Sequence, residues 1–251
     1  MSWYTNSTYG ERVAEVYDDW YGEYDQHAIS VLTELARGGR ALELGIGTGR
    51  VALPLTANNV EVQGIDAAPA MVARMRVKPG GDRIPVSIGN FADVAIDGEF
   101  ALIYIVFNTF FALLSQAEQV RCFANVATHL TPNGCFLIEA FVPDVTRFDR
   151  GQSNRAVRVR EEGVELDVSQ LDFAAQHVVS QKVILTDGSV RLYPVQIRYA
   201  YPSELDLMAQ LAGLRLGQRW SNWQREPFTS ESQKHISIYE RAAPRLGVRC
   251  L

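Results

Sequence analysis

Apolar and polar positions fall into two alternating rhythms over the first 142 residues. From Glu11 to Leu35 apolar and aromatic side chains recur at helical spacing, with Gly22 as the break between two helices and Gly38-Gly39 as the stop. Short apolar runs at 40–44, 60–65, 84–88, 100–106 and 134–141 then read as strands, with helices over 50–55, 68–76 and 116–130. Thr131-Pro132-Asn133-Gly134 is expected to turn out of the last of these helices. Strand alternating with helix predicts a parallel sheet covered on both faces. After Pro143 the rhythm changes. Residues 155–200 read as several strands with no long helix, broken by turn signals at Glu162-Gly163 and Asp187-Gly188. A helix over 202–211 and strands near 214–220 and 235–239 end the pattern. The expected organisation is therefore a core over 1–142, a β-rich insertion over 143–196, and a segment over 197–251 that completes the core sheet.

Composition narrows the class. The 251 residues are 47% hydrophobic and 21% charged, which excludes a wholly disordered chain and allows a sizeable core. A net charge of -5 argues against a broad attraction to nucleic acid. No apolar run approaches the roughly 18 residues of a membrane span. Met1 to Gly10 is polar and aromatic, so no secretory signal is read and a cytoplasmic location is expected. Cys122, Cys135 and Cys250 are scattered, with no metal-ligand spacing, and metal-independent chemistry is expected.

The strongest chemical signal is Glu43-Leu44-Gly45-Ile46-Gly47-Thr48-Gly49 between a strand and a helix. Glycines there let the backbone turn sharply and let a ligand approach the main chain. Gly64-Ile65-Asp66 ends the next strand, and Asp66 follows Gly49 by 17 residues, at the distance where a carboxylate takes hydrogen bonds from ribose hydroxyls. A nicotinamide-binding turn would need glycine at position 50, but Arg50 stands there and the third glycine comes one residue early.

These words resemble the class I S-adenosylmethionine-dependent methyltransferases. Leu42 to Arg50 is similar to that family's first motif and Gly64 to Met71 to its second. The likeness continues through Gly89-Asn90-Phe91, Phe107-Asn108-Thr109-Phe110 and Leu130 to Gly134. It implies a Rossmann-like, seven-stranded, mostly parallel sheet with helices on both faces, and an antiparallel β insertion over the active site. It implies S-adenosyl-L-methionine as cofactor and S-adenosyl-L-homocysteine as product. Gly45, Ile46 and Gly47 would pass under the methionine moiety, with Glu43 shaping the turn or reaching the amino group. Asp66 would hold the ribose, and Ala67 and Met71 would line the adenine. Asn90 replaces the family's usual acid beside Phe91. Phe107 and Asn108 would flank the methyl group, and Tyr17 or Tyr21 would close over the cofactor.

The reaction implied is methyl transfer by in-line displacement to nitrogen or oxygen of a small-molecule acceptor. The alternatives are a non-catalytic cofactor-binding partner protein and, less favoured, a nicotinamide-dependent reductase. No catalytic base is legible. Glu139, His177, Arg198 and Trp223 are the further candidates for acceptor binding. Five arginines over 147–160 either bind an anionic acceptor or form a solvated loop balanced by Glu161 and Glu162, and the second reading is simpler. No nucleic-acid or membrane partner is expected, and the chain is expected as a monomer or homodimer.

Overall fold

The structure, a computed structural model, describes residues 4–93 and 96–242. Cys250 therefore lies outside the described residues. Among the described residues seven α-helices and eleven strands follow in chain order. Helices α1 (Thr8–Val13), α2 (Tyr17–Tyr21) and α3 (Gln26–Ala36) precede strand β1 (Ala41–Leu44). Then come α4 (Ala52–Ala57), β2 (Val62–Asp66), α5 (Pro69–Arg76), β3 (Val86–Ile88), β4 (Phe100–Ile105), α6 (Gln116–His129) and β5 (Leu130–Phe141). Four strands follow, β6 (Gln152–Arg160), β7 (Gly163–Asp172), β8 (His177–Thr186) and β9 (Ser189–Arg198). Helix α7 (Pro202–Leu211) and strands β10 (Leu214–Trp220) and β11 (Lys234–Arg241) complete the fold.

Strands pair in the order β10-β11-β5-β4-β1-β2-β3, with β11 antiparallel to both its neighbours, β10 and β5, and the other pairs parallel. Side-chain alternation along β4 shows how one sheet serves two cores. Leu102 and Tyr104 pack with Ala28, Leu32 and Leu55 of α3 and α4. Ile103 and Ile105 pack with Phe123 of α6 and Leu205 of α7. Phe123 is fully buried, with its ring 5.3 Å from Phe136 and 5.4 Å from Tyr239. Burying such a side chain contributes about 1.5–3 kcal/mol.

Local chemistry sets the ends. Ser115 and Glu118 form a reciprocal capping box on α6, and Asp25 caps α3 by accepting from the His27 amide. Three short elements depart from the sequence expectation. The N-terminal run breaks at 14–16 as well as at Gly22, giving three helices. Residues 131–134 do not turn out of α6 but form an irregularity inside β5, where Phe100 pairs with Leu130 and Leu102 with Cys135. The first hairpin turn of the insertion falls at Glu161-Glu162, one residue early, because Gly163 already pairs with Arg160.

The insertion is an antiparallel sheet in the order β6-β7-β8-β9. Trp20 fastens it to the N-terminal helices: its ring meets Tyr193 edge-on at 4.7 Å and carries the Lys182 ammonium 3.8 Å from its centre. Among the described residues no helix is long and apolar enough to cross a membrane.

Candidate active site

The glycine turn leaves the carboxyl end of β1, where open α/β sheets bind ligands. Gly45 and Ile46 both donate their amides to the Ile65 carbonyl, at 2.8 and 2.9 Å, which ties the turn to β2. Gly45 has φ +80°, and a Cβ there would lie 2.4 Å from Thr109 Cγ2. Gly47 has φ +55°, with the Met71 side chain beneath it. Only glycine fits such a bend closely. Asp66 closes it from β2, accepting from the Gly47 amide at 2.7 Å and the Ala68 amide at 2.8 Å. Burial raises the Asp66 carboxyl above its ordinary value against the pull of those amides. A carboxylate offers about four lone-pair sites, so acceptor capacity remains.

Glu43 is buried one strand away and accepts from Tyr104 Oη at 2.9 Å. Desolvation pushes its carboxyl up to about 8, with Asp66 adding to the rise and the Tyr104 hydrogen bond opposing it. It lines a cavity of about 30 Å³ together with Tyr17, Gly45, Gly47, Arg50 and Phe107.

An aromatic cage covers that cavity. The Arg50 guanidinium lies 5.2 Å from the Phe107 ring centre and within 5.6 Å of those of Tyr17, Tyr21 and Tyr24. Its Nε donates to the Gly22 carbonyl at 2.8 Å and Nη2 to the Tyr21 carbonyl at 2.9 Å. Burial raises the Tyr17 hydroxyl to about 12, with Arg50 working against the rise. Asp18 adds a second fastening, accepting from Thr48 Oγ1 at 2.6 Å and pairing with Lys78 at 2.7 Å. Burial pushes the Asp18 carboxyl up, but the Lys78 and Thr48 hydrogen bonds outweigh it and hold it below its ordinary value. Helix α2 is thus strapped over the glycine turn.

Glu139, on β5, organises the other side. Tyr24 Oη, the Phe107 amide, Trp223 Nε1 and Lys234 Nζ all donate to its carboxylate. Phe107 and Asn108 follow β4 in left-handed conformation, φ +56° and +65°. Asn108 Oδ1 holds this bend by accepting from the Phe141 amide at 2.7 Å. With four donors on it, Glu139 is a positioning residue for Phe107 and Tyr24, and Trp223 is buried behind it.

Beyond the cage lies a cavity of about 410 Å³ between the core and one face of the β6–β9 sheet. Tyr21, Phe141, Phe148 and Tyr199 wall it on one side, Val178 and Ser180 on the other. Of the five arginines over 147–160, only Arg147 and Arg155 line it, together with Asp144 and Asp167, so its charges are mixed.

The structure thus brings Tyr17, Glu43, Gly45, Ile46, Gly47, Asp66, Met71, Phe107, Asn108 and Glu139 to one end of the sheet. Ala67 is half-buried beside Asp66. Asn90 donates to Glu118 at 3.1 Å and accepts from the Ala92 amide at 2.9 Å, while Phe91 is buried in the core beside Leu44 and Ile65. Two candidates stand elsewhere. Arg198 is buried against Glu204 at 2.8 Å, with Gln119 and Gln176 as further partners. His177 lines a separate open cleft with Arg150, Gln170 and Asp172, and burial lowers its pKa. The sequence reading missed Tyr24 and the strapping role of Arg50. Tyr17 and Tyr21, four apart on α2, were the available signal, and Tyr24 beyond the Gly22 break carried none.

Comparison with known proteins agrees with this geometry. A family model described as a methyltransferase domain matches residues 41–134. The CcbJ methyltransferase from Streptomyces caelestis superposes with a TM-score of 0.89 at 36% identity, covering 96% of this chain and 100% of that one. A cypemycin N-terminal methyltransferase from Streptomyces sp is 26% identical over 207 residues, 81% of this chain and 84% of that one. S-adenosylmethionine-bound CalS10, an amino pentose methyltransferase from Micromonospora echinaspora, shares the fold at TM-score 0.68 and 19% identity, covering 96% of this chain and 99% of that one. The glycine turn, the carboxylate at the end of β2 and a likeness that spans the whole of a solved methyltransferase lead to one assignment: the chain belongs to the class I S-adenosylmethionine-dependent methyltransferases.

Proposed function

We propose that this enzyme methylates a nitrogen of a small-molecule amine held in the cavity between the core and the β6–β9 sheet. One observation carries the reading. The cavity ends on Tyr21, whose ring stands 4.9 Å from Phe107, and Phe107 lines the cavity at the glycine turn. The two chambers therefore meet at a thin aromatic partition.

The residues at the turn fit the cofactor. The bend at 45–47 has no room for a side chain at Gly45, Asp66 keeps acceptor capacity for ribose hydroxyls, and Glu43 faces a cation-sized space. Gly45, Ile46, Gly47 and Glu43 would hold the amino-acid end, Asp66, Ala67 and Met71 the nucleoside, with Asn90 and Phe91 beyond. When bound, the cofactor supplies a methyl group on a sulfonium, an electrophile that needs no metal or covalent nucleophile. The work of the chain is placement, which is worth roughly 7–11 kcal/mol when reacting atoms are held in line. The rings of Tyr17, Tyr21 and Phe107 favour positive charge over their faces. Strapping α2 over the turn keeps water out. The segment 143–196 acts as the acceptor-binding lid.

Nitrogen is favoured over oxygen for a physical reason. A neutral amine brings its own lone pair to the methyl group, whereas a hydroxyl is a good nucleophile only as a base takes its proton. The cypemycin relative is itself named for methylating an N-terminus. Incubation with methyl-labelled cofactor and a panel of amines and alcohols tests the proposal. Label in N-methyl products supports it, and label found only in methyl ethers overturns it.

A further inference from the structure

One wall of the large cavity carries a hydrogen-bond chain of fixed direction. Asp167 and Ser169 of β7 and Ser180 and Lys182 of β8 face the cavity together. Ser169 is buried, and its hydroxyl donates to Asp167 Oδ1 at 2.6 Å. A hydroxyl has a single proton. At the 2.8 Å contact between Ser169 and Ser180, the donor must therefore be Ser180. Both protons are spent within the chain, so Ser180 Oγ and the second oxygen of Asp167 offer the cavity acceptor capacity only. Donors stand beside them. Arg155 on β6 and Lys182 on β8 are the cross-strand neighbours of Asp167.

A ligand group at this wall meets acceptors flanked by donors. A hydroxyl satisfies both, since it donates and accepts. A second ammonium only donates and meets two cations. A carboxylate only accepts, so it can take the Arg155 and Lys182 donors but leaves Ser180 unpaired and sets its charge against that of Asp167. The remaining lining, Phe141, Phe148, Val178 and Tyr199, suits a ring with apolar faces.

We infer that the acceptor is a ring amine bearing hydroxyl groups on the side away from its nitrogen, read by Ser180 and Asp167. The inference rests on the reading that this cavity holds the acceptor. The amines trans-4-aminocyclohexanol and cyclohexylamine make a matched pair, with and without a hydroxyl across the ring from nitrogen. Wild type should prefer the hydroxylated amine in kcat/KM, mainly through KM. S180A should shrink that preference about fivefold and D167N about tenfold, the scale of one hydrogen bond to a neutral and to a charged group respectively. Equal kcat/KM for the two amines in wild type, or a preference untouched in both variants, overturns the inference. If neither amine is methylated, the N-methylation reading fails for this class, and calorimetry decides the wall separately. With S-adenosyl-L-homocysteine present, saturable binding of the hydroxylated amine that weakens about fivefold in S180A supports the inference. No binding overturns it. Melting temperature and S-adenosyl-L-homocysteine affinity show that the variants are folded.

Discussion

Replacing Glu43 by Gln keeps the side chain's shape and its ability to accept the Tyr104 hydroxyl, but removes its titration. In the folded chain burial lifts Glu43 to about 8, whereas its ordinary value is 4.5. Below 4.5 both folded and unfolded chains hold the proton, and the group has no effect on stability. Between 4.5 and about 8 the unfolded chain has released its proton and the folded chain has kept it, so stability falls as pH rises. Above about 8 the loss levels off. At about 1.36 kcal/mol per pH unit the whole window is worth about 4–5 kcal/mol. Urea unfolding without cofactor, at about pH 5 and about pH 8.5, should show wild type losing several kcal/mol relative to E43Q. A cation against Glu43, as proposed for the cofactor's amino group, reverses the preference and expels the proton. Calorimetry near pH 7 in two buffers of different ionisation enthalpy should detect release of up to about one proton per cofactor in wild type and none in E43Q. A stability gap independent of pH, with no proton release on binding, refutes the reasoning.

Three further outcomes follow from the same geometry. Asp66→Ala should weaken cofactor binding about tenfold, roughly 1.4 kcal/mol, and unchanged affinity by calorimetry would count against the ribose role. Arg50→Met removes two donors to the Tyr21 and Gly22 carbonyls and the cation among four rings. It should loosen α2 by about 2 kcal/mol, read as faster amide exchange there, and unaltered exchange would sink the strap. His235 is fully buried, and burial, with Arg219 nearby, lowers it to about 3. It stays neutral while the unfolded chain takes up a proton below 6.5, so stability present above 6.5 is lost as pH falls toward 3. His235→Asn should flatten this acid limb by about 3 kcal/mol between roughly pH 6.5 and 4, and parallel pH–stability curves would exclude it.

How much of the site could be read from the chain follows from how far apart its parts lie. The turn and Asp66 are legible because one strand–turn–helix–strand stretch supplies both, and chain spacing alone sets their separation. Tyr17, Tyr21 and Tyr24 precede the turn by more than twenty residues, and only docking of α2 and the segment after it onto Arg50 puts them at the site. Arg50 itself reads in the sequence only as a missing glycine. Glu139 reads as an odd acid in an apolar strand, while its partners Tyr24, Trp223 and Lys234 come from three distant segments. Arg198 looked like a ligand for an acceptor, but its place at the end of β9 sets it against Glu204 of α7. In β5, Pro132 and Gly134 signal a turn, yet pairing with β4 on both sides of them makes an irregular strand instead.

Taken alone, the order of apolar rhythms and the glycine-rich words determined the sheet, its helical layers and the class of cofactor, because each depends on neighbours close along the chain. The acceptor cavity, the cage around Arg50 and the Ser180–Ser169–Asp167 wall were decided only in three dimensions. Their members come from separate helices and strands, and burial and hydrogen-bond direction, which no local pattern encodes, set what they can bind.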